Sequence, residues 1–483
     1  MHPSHAIASR DIPVAAHGVA AVLAKWAALD HSFEARSLKA AENALFDIFG
    51  CMIAGSNDPA TLAVARAVES FGKGSVFAFG IDRRLPAPWS AMINGTAAHA
   101  LDFDDNFAPA YTHATAVLAP ALFGLADAER QSGRAVLDAY IVGLELQARI
   151  GRLLQPGHYR QGWHATATIG AIGAAGACAR MLGCDADGIL ASMSIATSMA
   201  GGSKKQFGSM MKPVHAGLAA KNAVVAARMA QAGISGNVDP FDGDWSFIDL
   251  FGGYNDEDTV TKALNGLGDM LAIDHDGLLA KRFPCCGAIH RTLDGIELLR
   301  NQEGFSLDAV ERIETHLPEM ARRNLRFDRP ANEMEVRFSG TYCAARVLVS
   351  GTLSLSDMTL ARIVDPEIQP WLPRTSLHSY SDSLMIDGAN FPVTTRLFLH
   401  GGAVREVVVT RVKGSPEIPL GRTEIERKFH DCCHWAGRSD AAETLAGLVR
   451  SLGDAPCLSE VAAAIEMSLG SDKKMANKSA GIN

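Results

Sequence analysis

The segment from residue 162 to residue 176 restricts the possible folds of this chain more than any other. It reads GWHATATIGAIGAAG, and its glycine and alanine residues continue a helical pattern. Side chains this small allow neighbouring helix backbones to approach closely, because the distance between packed helices depends on the side chains at the contact. We therefore predict a central buried helix here. Amphipathic helical patterns that would pack around it occur at residues 36–54, 59–71, 134–155 and 185–199.

The pattern changes near Ala272, after which strand signals appear among the helices. Residues Val310–Leu317 alternate like a strand, and Thr394–Leu399 and Val404–Val412 flank a His-Gly-Gly turn, which is typical of a β-hairpin. Helical patterns return after residue 414. The chain is thus expected to be mainly α, with a large all-helical domain formed by both of its ends and a smaller inserted α+β domain. The predicted boundaries are 1–268 and 415–470 for the helical domain, 269–414 for the α+β domain and 471–483 for a disordered tail.

Length, charge and cysteine usage narrow the class of protein. A chain of 483 residues is too long for one ordinary core, so two domains are expected. The formal net charge is −8 and no basic run occurs, which argues against nucleic-acid binding. Nine cysteines without a C-x-x-C pair indicate a reducing compartment rather than disulfides or a zinc site. Because there is no signal-peptide pattern and no apolar run of ~18 residues, a cytoplasmic protein without a membrane segment is expected.

Lys212 directly precedes Pro213 at the start of a helical pattern that continues to about Gln231. Proline fits the first turn of a helix, and the residue before proline is pushed out of the α region. Lys212 is therefore expected at or just outside a helix start, where free N–H groups and the helix dipole attract an anion. His215 adds a titratable group one turn further on. This pattern predicts a site for a carboxylate or a phosphate.

His113 and His164 stand at two other predicted helix starts. Thr112 is a candidate N-cap for the helix that follows it, and His164 directly precedes the glycine- and alanine-rich helix. A histidine in such a place more often bonds a local carbonyl, but a helix N-terminus disfavours a cation unless an anion is also present. Three basic groups at three helix starts therefore point to one multiply charged anion on which they converge.

Acidic residues cluster before His113, at the end of another predicted helix: they are Asp102, Asp104 and Asp105. Negative charge at a helix C-terminus opposes the helix dipole, so these carboxylates need compensation. A solvated helix end is one interpretation, and a carboxylate held by a nearby lysine or histidine is the one that we favour. A metal site made by the three aspartates and His113 is a further alternative, since carboxylates and imidazole are suitable metal ligands.

Lys281 and Arg282 precede a later helix and are candidate binders of a substrate carboxylate. Their neighbours Cys285 and Cys286 are interpreted as buried structural thiols. Neither a Rossmann glycine motif after a strand nor a P-loop occurs, so a nucleotide cofactor is unsupported. The cysteines also lack the run that would bind an iron–sulfur cluster. The prediction is chemistry that needs no cofactor and no metal.

Six motifs in this chain resemble successive motifs of the MmgE/PrpD family. They are H-A-L-D-F-D-D from His99, T-H at residues 112–113, G-W-H-A-T from Gly162, K-P-V-H-A-G from Lys212, K-R-F-P-C-C from Lys281 and F-S-G-T-Y from Phe338. Each motif alone is weak, but six in family order are a specific signal, and helical patterning extends the similarity over nearly the whole chain. One departure is Ala114, where many members have a proline.

The resemblance implies a smaller α+β lid domain beside the large helical domain, and a homodimer with its active site in the cleft between the domains. The family includes 2-methylcitrate dehydratase, cis-aconitate decarboxylase and iminodisuccinate epimerase, so the implied partner is a small di- or tricarboxylate substrate. By resemblance to cis-aconitate decarboxylase, the active-site residues are Asp102, His113, His164, Lys212 and Tyr342. Tyr342 is indicated by the resemblance only. Asn106 begins a variable linker that is expected to contact the substrate and shape its choice.

These family reactions break a bond beside a carboxylate, so that charge builds up on that carboxylate. Lys212 is suited to stabilise this charge, and His113 and His164 are suited to be the acid–base pair. Asp102 would orient a histidine or pair with Lys212, and Tyr342 would donate a proton or hydrogen bond from the lid. A 2-methylcitrate dehydratase-like hydro-lyase is favoured as the commonest family activity, with a decarboxylase or an epimerase as alternatives. A non-catalytic carboxylate-binding protein is the alternative from another class.

Overall fold

The computed structural model describes residues 18–253, 256–384 and 390–470. The protein is mainly α, as expected, with one small mixed sheet. The predicted tail from residue 471 lies outside the described residues. Within them, no helix combines the length and the apolar character that a membrane crossing requires.

Helices occupy the chain as far as His275. Their bounds are α1 (Val19–Ala27), α2 (Ala35–Gly55), α3 (Pro59–Ala67), α4 (Ala87–Ala100), α5 (Thr115–Glu129), α6 (Gly133–Leu154), α7 (Gly157–Arg160), α8 (Ala165–Met181), α9 (Ala186–Thr197), α10 (Met211–Gln231), α11 (Phe247–Leu250), α12 (Glu257–Leu264) and α13 (Ala272–His275). Polar side chains define several of the starts: Asp58, Ser132 and Asp185 accept a first-turn N–H in α3, α6 and α9.

Helix α8 is the central buried helix that its small residues predict. Every residue of α8 except Arg180 is buried. Glycine allows the close approach of α8 to α6, because a Cβ atom on Gly173 would lie 2.5 Å from the side chain of Gln147 and 3.1 Å from the Gly143 carbonyl. Packing of α10 on α8 and α4 then brings the start of α10 close to the residues that follow α4.

The chain after residue 286 adds the sheet and further helices. The helices are α14 (His290–Arg300), α15 (Glu319–Asn324), α16 (Glu333–Val336), α17 (Gly340–Ser350) and α18 (Leu360–Ile363). The strands are β1 (Val310–Pro318), β2 (Thr375–Tyr380), β3 (Val393–Leu399) and β4 (Val404–Val409), in the order β2-β1-β3-β4. Strands β1 and β2 are parallel and the other two pairs are antiparallel, which confirms the predicted β3–β4 hairpin.

The C-terminal helices return to the first part of the chain. They are α19 (Arg422–Trp435), α20 (Ala442–Arg450) and α21 (Leu458–Gly470). Helix α19 packs on α2, where the rings of Phe429 and Phe46 are stacked with centroids 4.5 Å apart. One hydrophobic cluster joins buried residues between 19 and 273 to Leu355 and to buried residues between 429 and 465, and a second joins Phe207 to buried residues between 283 and 397.

Candidate active site

Lys212 is the second residue of α10 and is almost completely buried. Its ammonium group bonds the carboxylate of Asp102. The ammonium also lies 5.4 Å from the ring centre of Phe338 and 5.9 Å from that of Phe207. The sequence expectation of a cation at the start of this helix is therefore met, and the structure adds that its partner is an aspartate from the predicted acidic cluster.

Asp102 follows α4 in the left-handed backbone region, with φ of 52°. A residue other than glycine in this region is strained, and such residues concentrate at functional sites. Lys281 holds the same residue from another side, because its ammonium donates to the Asp102 carbonyl at 2.9 Å and lies 3.2 Å from Oδ1. Burial alone would raise the pKa of Asp102, but Lys212 and Lys281 lower it far below its usual value. Asp102 is therefore a buried, ionised carboxylate.

Asp104 lies between two histidines; the sequence named it only as a possible metal ligand, and His99 was not singled out as a site residue. Asp104 Oδ2 is 2.7 Å from His99 Nδ1 and 3.1 Å from His113 Nδ1. Burial lowers the pKa of both histidines, that of His99 to about 3, whereas Asp104 acts in the opposite direction. The available signal was the helical spacing of His99 and Asp102 inside one motif, which places a second histidine beside the acidic cluster.

His113 precedes α5, which begins at Thr115. The predicted cap at Thr112 is wrong, because its hydroxyl donates to Gln147 Oε1 at 2.9 Å. Instead, the backbone N–H of His113 donates to the Thr166 hydroxyl at 3.0 Å, which ties the histidine to the first turn of α8. The position of His113 is thus set by α8 rather than by its own helix.

His164 is the N-cap residue of α8 and is buried. Its Nδ1 lies 3.1 Å from Nδ1 of His215, one turn into α10. Burial lowers the pKa of His164 far below its usual value, and His215 adds to this shift. The ring of His164 lies 6.4 Å from that of His113, measured between centroids. The three predicted basic groups therefore converge, as their helix-start positions suggested.

These side chains line one cavity of about 550 Å³. Its charged and titratable lining includes Asp102, His113, His164 and Lys212. Asn106 also lines it, as expected of the linker, together with Phe107, Tyr111, Tyr159, Leu279, Met320 and Phe391. Arg152, Asp276, Arg291 and Glu417 are further charged residues of the lining. A lysine beside one carboxylate and two histidines suits a small anionic substrate on which protons are moved.

Two models of one protein family match successive parts of the chain. Residues 21–259 match the MmgE/PrpD N-terminal domain, and residues 283–454 match the MmgE/PrpD C-terminal domain. The chain belongs to the MmgE/PrpD family. This confirms the resemblance that the six motifs indicated.

The relatives of this MmgE/PrpD chain include decarboxylases. Human cis-aconitate decarboxylase is 27% identical over 396 residues, which cover 77% of this chain and 78% of the human protein. Mouse cis-aconitate decarboxylase is 29% identical over 385 residues, or 77% of each chain. The cis-aconitate decarboxylase-like protein oryM of Aspergillus oryzae is 25% identical over 453 residues, which cover 89% of this chain and 92% of oryM. The prediction of a lyase-type enzyme is confirmed by these relatives. Because they are cis-aconitate decarboxylases or similar to them, they do not support the preference for a 2-methylcitrate dehydratase.

The remaining predicted residues of the MmgE/PrpD site do not line the cavity. Arg282 is paired with Asp294 at 2.7 Å and Glu297 at 2.6 Å. The hydroxyl of Tyr342 donates to the Asp357 carbonyl at 2.5 Å, inside the second hydrophobic cluster.

Lys281 and His215 do not line the cavity but contact residues that do. Lys281 is fully buried and reaches the site through Asp102, and His215 reaches it through His164. The structure therefore places both residues where they hold other site residues rather than a substrate.

The alternative of a metal site has partial geometric support. Ligand atoms of His99, Asp102, Asp104 and His113 lie within 4.8 Å of one another. However, the ammonium groups that contact Asp102 would repel a metal cation at this place. Asp105, the fourth residue of the predicted ligand set, bonds the Thr115 backbone and hydroxyl instead. This cluster therefore suits a metal cation poorly, and its histidines are better placed for proton transfer.

Proposed function

We propose that this MmgE/PrpD protein is a lyase that breaks a bond beside a carboxylate of a small di- or tricarboxylate, by decarboxylation of a cis-aconitate-like acid. One observation carries the proposal: Lys212, His113 and His164 line the same cavity, and Lys212 is paired with buried Asp102. A lysine can hold a substrate carboxylate on which charge grows, while histidines transfer protons. The proposal requires neither a metal nor an organic cofactor, because the protein's own cations supply the positive charge.

The step starts with cleavage of the carbon–carbon bond to one carboxylate. Carbon dioxide leaves, and the electron pair of the broken bond stays on the substrate, where it is delocalised toward a neighbouring carboxylate. Lys212 holds that carboxylate and stabilises the growing charge in a water-poor site. A protonated histidine then gives its proton to the substrate carbon, and solvent restores the proton to the ring.

We assign the proton donor to His113 rather than to His164. Asp104 lies 3.1 Å from the His113 ring and favours its protonated form. His164 instead contacts His215, which disfavours a second positive charge. Anionic substrate in the cavity raises the pKa of nearby histidines, so His113 can be charged in the complex. Neutral His164 then serves as a hydrogen-bond partner of the substrate.

A second candidate is dehydration of a 2-methylcitrate-like hydroxy acid. Among the described residues, Asp102 Oδ2 and His164 Nε2 are buried polar atoms without a hydrogen-bond partner. A substrate hydroxyl can donate to Asp102 Oδ2, and His113 would protonate it as it leaves. Neutral His164 would take the proton from the adjacent carbon, so that water is lost and a carbon–carbon double bond forms. A cavity of about 550 Å³ also has room for a substituted acid, because sites for drug-sized ligands hold roughly 300–1,000 Å³.

A substrate panel tests the proposal. The panel contains cis-aconitate, its alkyl-substituted homologues, 2-methylcitrate and an amino diacid, each with and without a strong chelator. Carbon dioxide release from an unsaturated tricarboxylate, unaffected by chelator, is the expected result. Water loss without carbon dioxide would establish the dehydratase instead, and a change of configuration alone would establish an epimerase. Tight binding of a tricarboxylate without turnover would contradict an enzymatic function, and loss of turnover with chelator would contradict metal-free chemistry.

We also propose that the two hydrophobic clusters mark two domains. The described residues within 18–268 and 415–470 would form the helical domain, and those within 269–414 would form the α+β lid. Contributions to the cavity from both clusters, such as Phe107 and Phe391, support an active site between them. A homodimer is proposed from the family resemblance. Light scattering on the purified protein would test it, with a mass of twice the chain expected.

A further inference from the structure

The peptide segment 102–105 is held by side chains at each of its four residues. Lys281 donates to the carbonyl of Asp102 at 2.9 Å. The Asp104 carboxylate is held by His99, and that of Asp105 accepts the Thr115 hydroxyl. The fourth contact, to the carbonyl of Phe103, comes from much further along the chain, and nothing in the proposed chemistry uses it.

That fourth contact is made by Lys428 of α19. Its ammonium donates to the Phe103 carbonyl at 2.7 Å and to the carboxylate of Asp47 in α2 at 2.8 Å. The ammonium also lies 4.2 Å from the centre of the Phe103 ring. Lys428 is only 6% exposed, so its charge has been removed from water at a cost that these contacts offset.

We propose that Lys428 is a positioning residue that, together with Lys281, fixes the left-handed backbone of Asp102 and so aims its carboxylate at Lys212. The two lysines hold the successive carbonyls of Asp102 and Phe103, on either side of the Phe103 Cα. A strained backbone persists only where the surrounding contacts determine it, and two fixed donors on adjacent carbonyls do this. Lys428 thereby links the C-terminal helices to the catalytic segment. The effect on turnover rests on the proposed function, whereas the effect on the segment does not.

The test must separate positioning from stability, because Lys428→Met alone leaves Asp47 buried and unpaired and is expected to destabilise the fold. Two neutral pairs solve this problem. Asp47→Asn with Lys428→Gln, the Asn/Gln pair, keeps an N–H donor for the Phe103 carbonyl. Asp47→Leu with Lys428→Met, the Leu/Met pair, removes that donor. Arg149→Met is the control for a buried ion pair elsewhere, since Arg149 bonds Glu145 and the carbonyls of Ala263 and Asn265.

For turnover of the tricarboxylate, the Leu/Met pair is expected to lose about 10²-fold in kcat with KM changed less than about threefold, because a displacement near 1 Å has this cost. The Asn/Gln pair should retain kcat within about fivefold. The Arg149→Met control should melt at a lower temperature but keep the kcat of its folded fraction. Equal kcat in the two pairs would overturn the proposal, as would a loss in the Leu/Met pair that is matched by the control.

Backbone hydrogen exchange at residues 103–106 supplies a readout that requires no turnover. Faster exchange in the Leu/Met pair than in the Asn/Gln pair is expected. Equal exchange in both pairs would overturn the positioning role even if the unaltered protein is an active decarboxylase. Absence of turnover in the unaltered protein, with a difference in exchange between the pairs, would instead reject the proposed function and leave the positioning role supported.

Discussion

The cavity has two unlike walls. The ionic wall consists of Asp102, His113, His164 and Lys212, which come from the first half of the chain and are largely buried. The apolar wall consists of Leu279, Met320, Phe338 and Phe391, which come from the second half; Asp276, Arg291 and Glu417 of that half also line the cavity. Arg282, which was predicted to bind a substrate carboxylate, is instead paired with acidic residues of α14.

The two walls are expected to have different functions: the ionic wall carries out the chemistry, and the apolar wall surrounds the substrate. Charges on the ionic wall are fixed by one another and by helix starts, so that they are already in place when charge develops on a substrate. Contact of a bound substrate with the apolar wall would displace water, and this would strengthen those same electrostatic interactions. Substitutions on the ionic wall should therefore lower kcat, and substitutions on the apolar wall should mainly raise KM.

The largest effect is expected for Lys212→Met. Loss of the ammonium group removes the partner of the substrate carboxylate, and kcat for decarboxylation should fall by roughly 10³-fold or more. Lys281 still pairs with Asp102, so the protein should remain folded. Lys221→Met is the matched control, because Lys221 lies on the same helix beside Trp89 and outside the cavity lining. Activity of Lys212→Met within tenfold of the unaltered protein would contradict the assignment.

A smaller loss of kcat is expected for His113→Gln. Glutamine can keep a hydrogen bond to Asp104 but cannot deliver a proton, so kcat should fall by about 10²-fold. The control is His31→Gln, a half-buried histidine whose ring contacts the Trp26 carbonyl and which does not line the cavity. If both variants retain the kcat of the unaltered protein, the proton donor lies elsewhere.

The pH dependence of kcat/KM tests the same assignment. Burial lowers the pKa of His113, and Lys281 and Lys212 add to the shift against the opposing effect of Asp104. The donor must carry its proton, so kcat/KM should fall about tenfold per pH unit as pH rises above this lowered pKa. This slope should be absent in His113→Gln. A rise of kcat/KM over the same range would show that the group acts as a base.

An effect of about tenfold on KM is expected for Phe391→Ala, since an aromatic contact with part of the substrate is lost while kcat is kept. The control is Phe398→Ala in β3. Both rings lie under an arginine, Arg291 at 3.9 Å and Arg312 at 3.3 Å, but only Phe391 lines the cavity. A fall in kcat larger than the rise in KM would remove the distinction between the two walls.

The smallest effect on turnover is expected for Tyr342→Phe. The family resemblance implies a catalytic tyrosine here, but its hydroxyl donates to the buried Asp357 carbonyl. The variant should keep kcat within about twofold and lose roughly 1–2 kcal/mol of unfolding free energy, because that carbonyl is left without its donor. Denaturant unfolding and steady-state kinetics would measure both quantities. A loss of kcat near that of Lys212→Met would restore Tyr342 to the site.

Much of the ionic wall was predictable from the sequence because its signals are local. A lysine before proline and a histidine before a glycine- and alanine-rich helix mark helix starts, and Lys212 and His164 are found there. The roles of His99 and Asp104 were missed, since their contact depends on which face of the α4 end is buried. Arg282 illustrates the same limit, as its acidic partners follow it on the next helix.

The elements of the fold likewise differ in whether local sequence signals predict them. The β3–β4 hairpin was predictable because its strands alternate around a short glycine turn. Strand β2 was not, because it pairs in parallel with β1 across more than fifty intervening residues, and its short polar sequence carries little pattern of its own. Lys428 likewise has no local signal, since its partners Asp47 and Phe103 lie over three hundred residues away.

The central claim is that the ionic wall breaks a bond beside a carboxylate and supplies a proton without a metal. A single turnover of cis-aconitate by excess enzyme, in heavy water with a strong chelator, tests it most directly. We expect one carbon dioxide released for each substrate consumed and one deuteron bound to carbon in the product, with neither observed for Lys212→Met. No carbon dioxide from the unaltered protein, or equal release by Lys212→Met, would contradict it.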